Sequence, residues 1–502
     1  MKWADINICQ LGWYRGAPSS LDAQELFCIL LLIGGIIMLN QSQSITLKTS
    51  EAAAVILLLL TGIGYGMIKL ELMPHIPVLI GIGSLIIYGL LKKIKMADLE
   101  QSMVEGAKAG LGAVLIFFFI GMLVSSWIAA GTIPTLIFFA FDLVTGKWFY
   151  AIVFIVTSVV GLSIGSSLTT SAVIGVAFMA VSETLGFSLA ITAGAVVSGA
   201  FLGDKMSPLS DTTVLASSTV KVDLFEHIKN MSWTTVPAFF ISLVMFAVLS
   251  PELSSADFTK LGSLQNTLKG MNLVHWYSLI PLAIIATLAV KKVSSILTLG
   301  AGTLSAMIIS MMVVPQKEWG TLPGILYSGY VSESGNKQLD SLLTRGGLES
   351  MFFSVSLVLL ALSMGGLLFK LGVLPALLRG LEGSLEKVPV LVGSTALSAI
   401  GINFLIGEQY LSILITGNTF AGHFEKAGLH PKNLSRVLED AGTVLNPLVP
   451  WSVCGVFLSS VLGVSTMDYV PFAFFCLLSP VLTLAAGFTG ITLSKSRKNA
   501  VA

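Results

Sequence analysis

The sequence predicts an all-α polytopic membrane protein made of two inverted-topology repeats, each with broken helices or re-entrant hairpins in a transport domain beside a scaffold domain. Three observations carry that expectation. Hydrophobic residues make up 54% of the 502, charged residues only 11%, and the mean hydropathy is +0.89, whereas a soluble domain carries about 25% charged residues. Apolar runs approaching the roughly 20 residues that cross a hydrocarbon layer recur along the chain. Between them lie two regions where polar residues, Gly and Pro interrupt apolar sequence at nearly one spacing.

Taken in order, residues 1–25 read as an interfacial segment, with Trp3, Trp13 and Tyr14 at headgroup depth. A signal peptide is disfavoured because the first apolar run has no small-residue cleavage site after it. Runs at 26–40, 52–68 and 76–91 supply the scaffold helices of the first repeat (26–94), closed by Lys92, Lys93 and Lys95. The first transport core occupies 95–222. Runs at 234–249, 276–290 and 294–314 supply the second scaffold (233–314), with Lys291 and Lys292 in its tight turn. A polar loop (315–349) leads to the second transport core (350–464). A C-terminal transmembrane helix (470–493) ends in Lys495, Arg497 and Lys498.

The two cores match. Gly131-Thr132-Ile133-Pro134 resembles Gly372-Val373-Leu374-Pro375, Ser207-Pro208-Leu209 resembles Asn446-Pro447-Leu448, and Gly165-Ser166-Ser167 falls opposite Gly407-Glu408-Gln409, all at offsets of 239 to 242 residues. Placing the basic turns inside starts the first core inside and, three spans later, the second outside. Lys2 and Arg15 then fall outside, against that rule. Inverted repeats of this kind are the layout of secondary transporters that alternate access around a midplane site.

Composition also excludes. A net charge of +1 gives no basis for nucleic-acid binding. Cys9, Cys28, Cys454 and Cys476 form no CxxC, the five histidines show no HExxH, and no GxxxxGK[ST] is present. The thiols therefore read as inert, and neither a metalloenzyme nor an ATP-driven pump is supported. No nucleophile–base spacing supports catalysis, and the sequence calls for no cofactor.

The chemistry concentrates at Gly203-Asp204-Lys205-Met206-Ser207-Pro208-Leu209-Ser210-Asp211-Thr212-Thr213. Ionisable groups at membrane depth face a cavity and mark an ion or substrate path. Pro208 disfavours helix at Ser207 and removes a donor, so the helix should break here and free carbonyl oxygens for a hard cation. Asp211 is the expected ion ligand, with Thr212 and Thr213 beside it. Lys205 would neutralise one of the two acids; the alternative is an Asp204–Lys205 structural pair. Gly161-Leu162-Ser163-Ile164-Gly165-Ser166-Ser167-Leu168-Thr169-Thr170 reads as a discontinuous helix or hairpin tip, with Ser166, Ser167, Thr169 and Thr170 lining the site or packing helix on helix. In the second core Glu408, next to Gln409, is flanked by apolar runs and expected to be buried. Asn403, Asn418, Glu439, Asp440, Thr443 and Asn446 follow. Lys432 and Arg436 leave a solvated helix start as the alternative for Glu439 and Asp440. The stretch Asp223, Glu226, His227 and Lys229 reads as surface.

These residues carry a family resemblance. The 203–213 stretch, Gly165-Ser166-Ser167 with Thr169-Thr170, Lys432-Asn433-Leu434-Ser435-Arg436 running into Leu438-Glu439-Asp440-Ala441-Gly442-Thr443, and Pro447-Leu448-Val449-Pro450-Trp451 resemble the NhaC-type sodium/proton antiporters of the ion-transporter superfamily. The resemblance spans about 106–490. It implies a multi-pass protein of the bacterial inner membrane, a homodimer whose transport domain moves against the scaffold in an elevator-like cycle, and Na⁺ efflux in exchange for protons. Asp211 and Glu408 would bind Na⁺, assisted by Asp204 or Asp440. Ser166, Ser167, Thr169, Thr170, Ser207, Thr212, Thr213, Gln409, Asn418, Thr443 and Asn446 complete the ion- or substrate-binding set. The chain departs from the family pattern at Leu168, at Glu408, and at Thr416-Gly417-Asn418-Thr419, where loss of an arginine removes a bidentate carboxylate clamp. The rival readings are a Na⁺- or H⁺-coupled carrier of a small organic acid or amino acid, and a channel or intramembrane enzyme.

Overall fold

The computed structural model describes residues 46–143, 147–252, 262, 265–291, 293–313, 320–335, 340, 343–382, 385 and 387–496. The interfacial segment 1–25, the apolar run 26–40, Lys292, and Arg497 and Lys498 of the tail lie outside them.

Every extended element among the described residues is helical, as an apolar solvent demands: only a helix satisfies its own backbone groups within one segment. Among the described residues, eight helices are long and apolar enough to cross a membrane, or ten if each of two bent pairs counts as one span. The chain begins with α1 (Thr49–Ile68) and α2 (His75–Leu91), followed by the amphipathic α3 (Met96–Ala109), then α4 (Leu111–Ala129) and α5 (Thr132–Leu143). The stretch read as the first core (95–222), which opens with α3 to α5, continues as α6 (Phe149–Ile164), α7 (Ser167–Leu185), α8 (Leu189–Met206) and the short α9 (Asp211–Thr219). Next come α10 (Leu224–Leu249), α11 (Trp276–Val290), α12 (Ser295–Val313) and a short α13 (Leu322–Ser328) inside the polar loop. The second core holds α14 (Phe352–Lys370), α15 (Val373–Glu382), α16 (Val388–Ile406), α17 (Gln409–Lys426), α18 (Pro431–Leu438) and α19 (Val453–Leu462). The chain closes with α20 (Thr466–Phe472) and α21 (Phe474–Thr489).

Burial sorts these helices into an inside and a rim. Of the apolar window, 83% is buried in α7 and 72% in α8, against 22% in α1 and 28% in α10. Small residues make the inside dense. Gly199 and Gly203 of α8 lie against the backbone of α6: a Cβ at Gly203 would come within 2.4 Å of Leu162 N and 2.5 Å of Ser158 O. The two helices therefore touch backbone to backbone, the approach that a small-xxx-small spacing permits.

The breaks fall where Gly and Pro place them. Gly165 and Gly407 end α6 and α16 in the left-handed region (φ +70° and +76°), which costs a glycine nothing. Ser166 and Glu408 then extend and cap the next helix. In each core this break touches the later one. A Cβ on Gly165 would lie 2.7 Å from Leu209 Cβ, and Val453 N donates to Gly407 O at 2.8 Å. Pro208 separates α8 from α9, while 431–448 and α19 meet at a 45° bend.

Several sequence expectations need correction. The run read as 234–249 begins ten residues earlier, because Asp223 caps α10 by accepting from the N–H groups of Phe225 and Glu226, each at 3.0 Å. The stretch read as surface contains His227, which is fully buried and bonded to Ser435 at 2.8 Å. The run 470–493 is not one straight span: α20 and α21 meet at 58°, and α21 stops at Thr489. The solvated start offered for Glu439 and Asp440 is also overturned, since both are fully buried with Arg436. Lys432 alone of that group reaches the surface, paired with Glu226 at 2.9 Å.

Candidate ion-binding site

In the first core, Asp204 sits at the N-terminus of α7. Its Oδ2 accepts from Ser167 N at 3.0 Å, and the Ser167 and Ser210 hydroxyls also donate to it. A carboxylate there meets the positive end of the helix and its unsatisfied N–H groups. Ser166 caps the same turn, its hydroxyl 3.0 Å from that of Thr169. Beyond Pro208, Ser210 caps α9, and the Thr213 hydroxyl donates to Lys205 O at 3.0 Å. That carbonyl has lost its helical donor to the break, so Thr213 is spent on closing it. Ser210 and Thr212 hydroxyls lie 3.0 Å apart, and Ser207 Oγ accepts from Leu209 N at 3.2 Å.

Asp211 is half-buried and lines a cavity of about 110 Å³ with Gly165, Ser166, Thr169 and Leu209. The opposite wall comes from Ile116 of α4, Ile285 and Ala289 of α11, and Thr298 of α12. The acid therefore looks out of the core toward the simpler helices.

In the second core, Glu408 is buried and caps α17, Oε2 accepting from Leu411 N at 2.7 Å. Behind it an amide network locks the later break. Asn403 donates to Gly442 O at 2.7 Å and accepts from Asn446 Nδ2 at 2.8 Å, and Asn446 Oδ1 accepts from Cys454 N at 2.9 Å. Asn446 thus holds backbone in place. Gln409 Oε1 and Thr170 Oγ1 are buried without a hydrogen-bond partner, and the buried Thr443 hydroxyl lies within reach of Glu439.

Tyr410 joins the two halves: Asp211, Asp204 and Glu408 all lie within its electrostatic reach. Asp440 takes a different role. Its Oδ1 is ion-paired with Lys205, both side chains fully buried, and accepts from Ser479 at 2.7 Å and Thr234 at 3.2 Å. Lys205 thus pairs across the cores rather than with its neighbour Asp204. Asn418 is not brought to the group; it is exposed on α17. No group of three or more His, Cys, Asp or Glu with metal-holding geometry occurs among the described residues. What the arrangement can offer is hard oxygen donors, the kind that hold hard cations.

The model of the Na⁺/H⁺ antiporter family matches residues 30–223 and 199–491. The chain is 39% identical over 431 residues to the Na⁺/H⁺ antiporter NhaC of Alkalihalophilus pseudofirmus, covering 86% of this chain and 93% of that one. The chain belongs to the NhaC-type Na⁺/H⁺ antiporter family. It is also 36% identical to the arginine/ornithine antiporter ArcD of Halobacterium salinarum (86% and 90% covered). With the malate-2H⁺/Na⁺-lactate antiporter of Bacillus subtilis it shares 34% (80% and 86%). It is a secondary active transporter, not an enzyme, and a multi-pass membrane protein.

Of the polar core of this NhaC-type transporter, three participants and one pairing escaped the sequence reading. Ser479 and Thr234 sit in spans that look plainly apolar; the Ser479-Pro480 pair was the available signal. Tyr410 is half-buried beside Glu408, and its adjacency to that acid was a usable sign. The partnership of Lys205 with Asp440, 235 residues apart, left no local trace.

Proposed function

We propose that this transporter exchanges Na⁺ for protons across the bacterial inner membrane by alternating access. The observation that carries the reading is that Asp204 and Asp211, which flank the Pro208 break, and Glu408, which follows the Gly407 break in the other half of the chain, all lie within electrostatic reach of Tyr410. Oxygen ligands held at helix breaks are how transporters build cation sites at the midplane. In the reading, Asp211 and Glu408 are the Na⁺ ligands, with Asp204 and the hydroxyls of Ser166, Thr169 and Thr212 supplying or orienting further oxygens. Ser207, Thr213 and Asn446 shape the breaks.

The paired breaks at Gly165 and Gly407, and at Pro208 and Pro447, support two inverted repeats. The cavity beside Asp211 lies between the helix breaks of the first core and α11 and α12 of the second scaffold, which supports a transport domain moving against a scaffold. A homodimer is the assembly that fits such a scaffold.

A second reading has a specific basis: two relatives above 30% identity carry arginine/ornithine or malate and lactate in their names. The experiment that separates the two uses purified protein in liposomes with an imposed proton gradient. Uptake of radioactive sodium, with none of labelled arginine, ornithine, malate or lactate, supports the cation reading. Gradient-driven uptake of one organic solute, with sodium only accelerating it, replaces that reading with the second.

A further inference from the structure

The π turn Glu439–Thr443 carries an acid that the proposed cation site leaves unused. Glu439 is fully buried, and neither carboxylate oxygen has a hydrogen bond of ordinary geometry, although the Thr443 hydroxyl of the same turn lies within reach; Asp440 Oδ2 is likewise buried without a partner. π turns are rare and concentrate at functional sites. Here the turn packs against α16, α17, α18, α21 and α9, and its Gly442 carbonyl is held by Asn403.

The charges facing Glu439 are few. Asp204 and Lys205 reach it from α8 and Asp440 from its own turn. Helix α16 has no titratable side chain, α21 has Cys476, α9 has Asp211, and α17 has Tyr410, with His423, Glu425 and Lys426 at its far end. Arg436 of α18 is bonded to Thr492 at 3.1 Å, and His227 of α10 faces Lys205 and Asp440. Lys205 is the nearby cation, and Asp440 already holds it. Burial without a free counter-charge disfavours the ionised carboxylate here and favours the neutral acid.

We propose that Glu439 is the proton-carrying carboxylate of this transporter, an inference that rests on the sodium/proton reading. The exchange balances in charge. Glu439 gives its proton to water as Na⁺ settles among Asp204, Asp211 and Glu408, and takes one back from water when Na⁺ leaves.

The test uses the full-length protein, wild type, Glu439→Gln and Glu439→Asp, with two readouts. In infrared spectra at neutral pH, the wild type shows a protonated-carboxyl stretch that disappears on adding NaCl, and Glu439→Gln lacks that band. In liposomes, Glu439→Gln keeps sodium/sodium exchange while proton-driven sodium uptake falls at least about tenfold. Glu439→Asp restores uptake with a displaced pH profile. A band that persists in Glu439→Gln overturns the proposal. So does a parallel loss of exchange and antiport that Glu439→Asp fails to rescue, the signature of a structural role. A wild type that moves no sodium sinks the antiport reading instead, and the infrared comparison still decides whether Glu439 holds the proton.

Discussion

Asp211 and Lys205, six residues apart, show how differently two ionisable groups of one motif are used. Asp211 looks into a cavity; Lys205 is sealed in the core against Asp440, Ser479 and the ring of Phe475, its ammonium 5.5 Å from the ring centroid. Removing one partner of a sealed ion pair strands the other charge, at a cost of about 3–5 kcal/mol. Lys205→Met should therefore lower the melting temperature and yield of detergent-purified protein sharply. Lys205→Met combined with Asp440→Asn should recover most of that loss. If the single variant melts like wild type, the pair does not hold the cores together. Much at this scale was legible in sequence, because a carboxylate inside an apolar run has few innocent explanations. That reasoning picked out Asp211, Asp204 and Glu408, which the structure places beside helix breaks. It could not say that Lys205 pairs with Asp440, since such a partnership depends on which helices meet. Asn418 shows the opposite failure: polarity in a motif-like stretch marked a residue that simply faces outward.

Among the elements, glycine spacing sets how closely helices approach. Gly203 has no room for a Cβ, while Gly83 on α2 has nothing within 4 Å of where one would lie. Gly203→Leu must push α8 from α6 and should cost about 3 kcal/mol or more, the upper end of overpacking penalties. Gly83→Ala should instead be neutral or stabilise by about 0.5–1 kcal/mol, the usual gain in a helix interior. Thermal melting of the two variants side by side checks both signs. Helix breaks were well marked in sequence because Gly and Pro act locally: Gly165, Gly407 and Pro208 end helices for reasons contained in three or four residues. Boundaries set by tertiary packing were less legible. The polar first turns of α10 look like a loop until Ser435 and Lys432 are seen to cover His227 and Asn230.

For the whole molecule, hydropathy alone gave a polytopic helical membrane protein, since a chain with 11% charged residues has few soluble alternatives. Short matched strings separated by about half the chain further located both pairs of breaks. What hydropathy could not give was the inside and the rim. Spans of similar apolarity end up differently, α7 enclosed and α1 at the edge, because small residues, not greasier ones, win the centre in lipid. The central claim, that acids from both halves form one cation site, belongs to this scale. Its consequence is non-additive: losing either half should abolish the site. Asp211→Asn and Glu408→Gln should each weaken sodium affinity at least about tenfold, near 1.4 kcal/mol, with the double variant little worse than either alone.

The most direct measurement is calorimetric titration of NaCl into wild type, Asp211→Asn and Glu408→Gln, each shown by melting to be folded. The account predicts a sodium-binding heat in the wild type that both single variants lose. Undiminished sodium binding in either variant would contradict it, because the acid replaced would then stand outside the site.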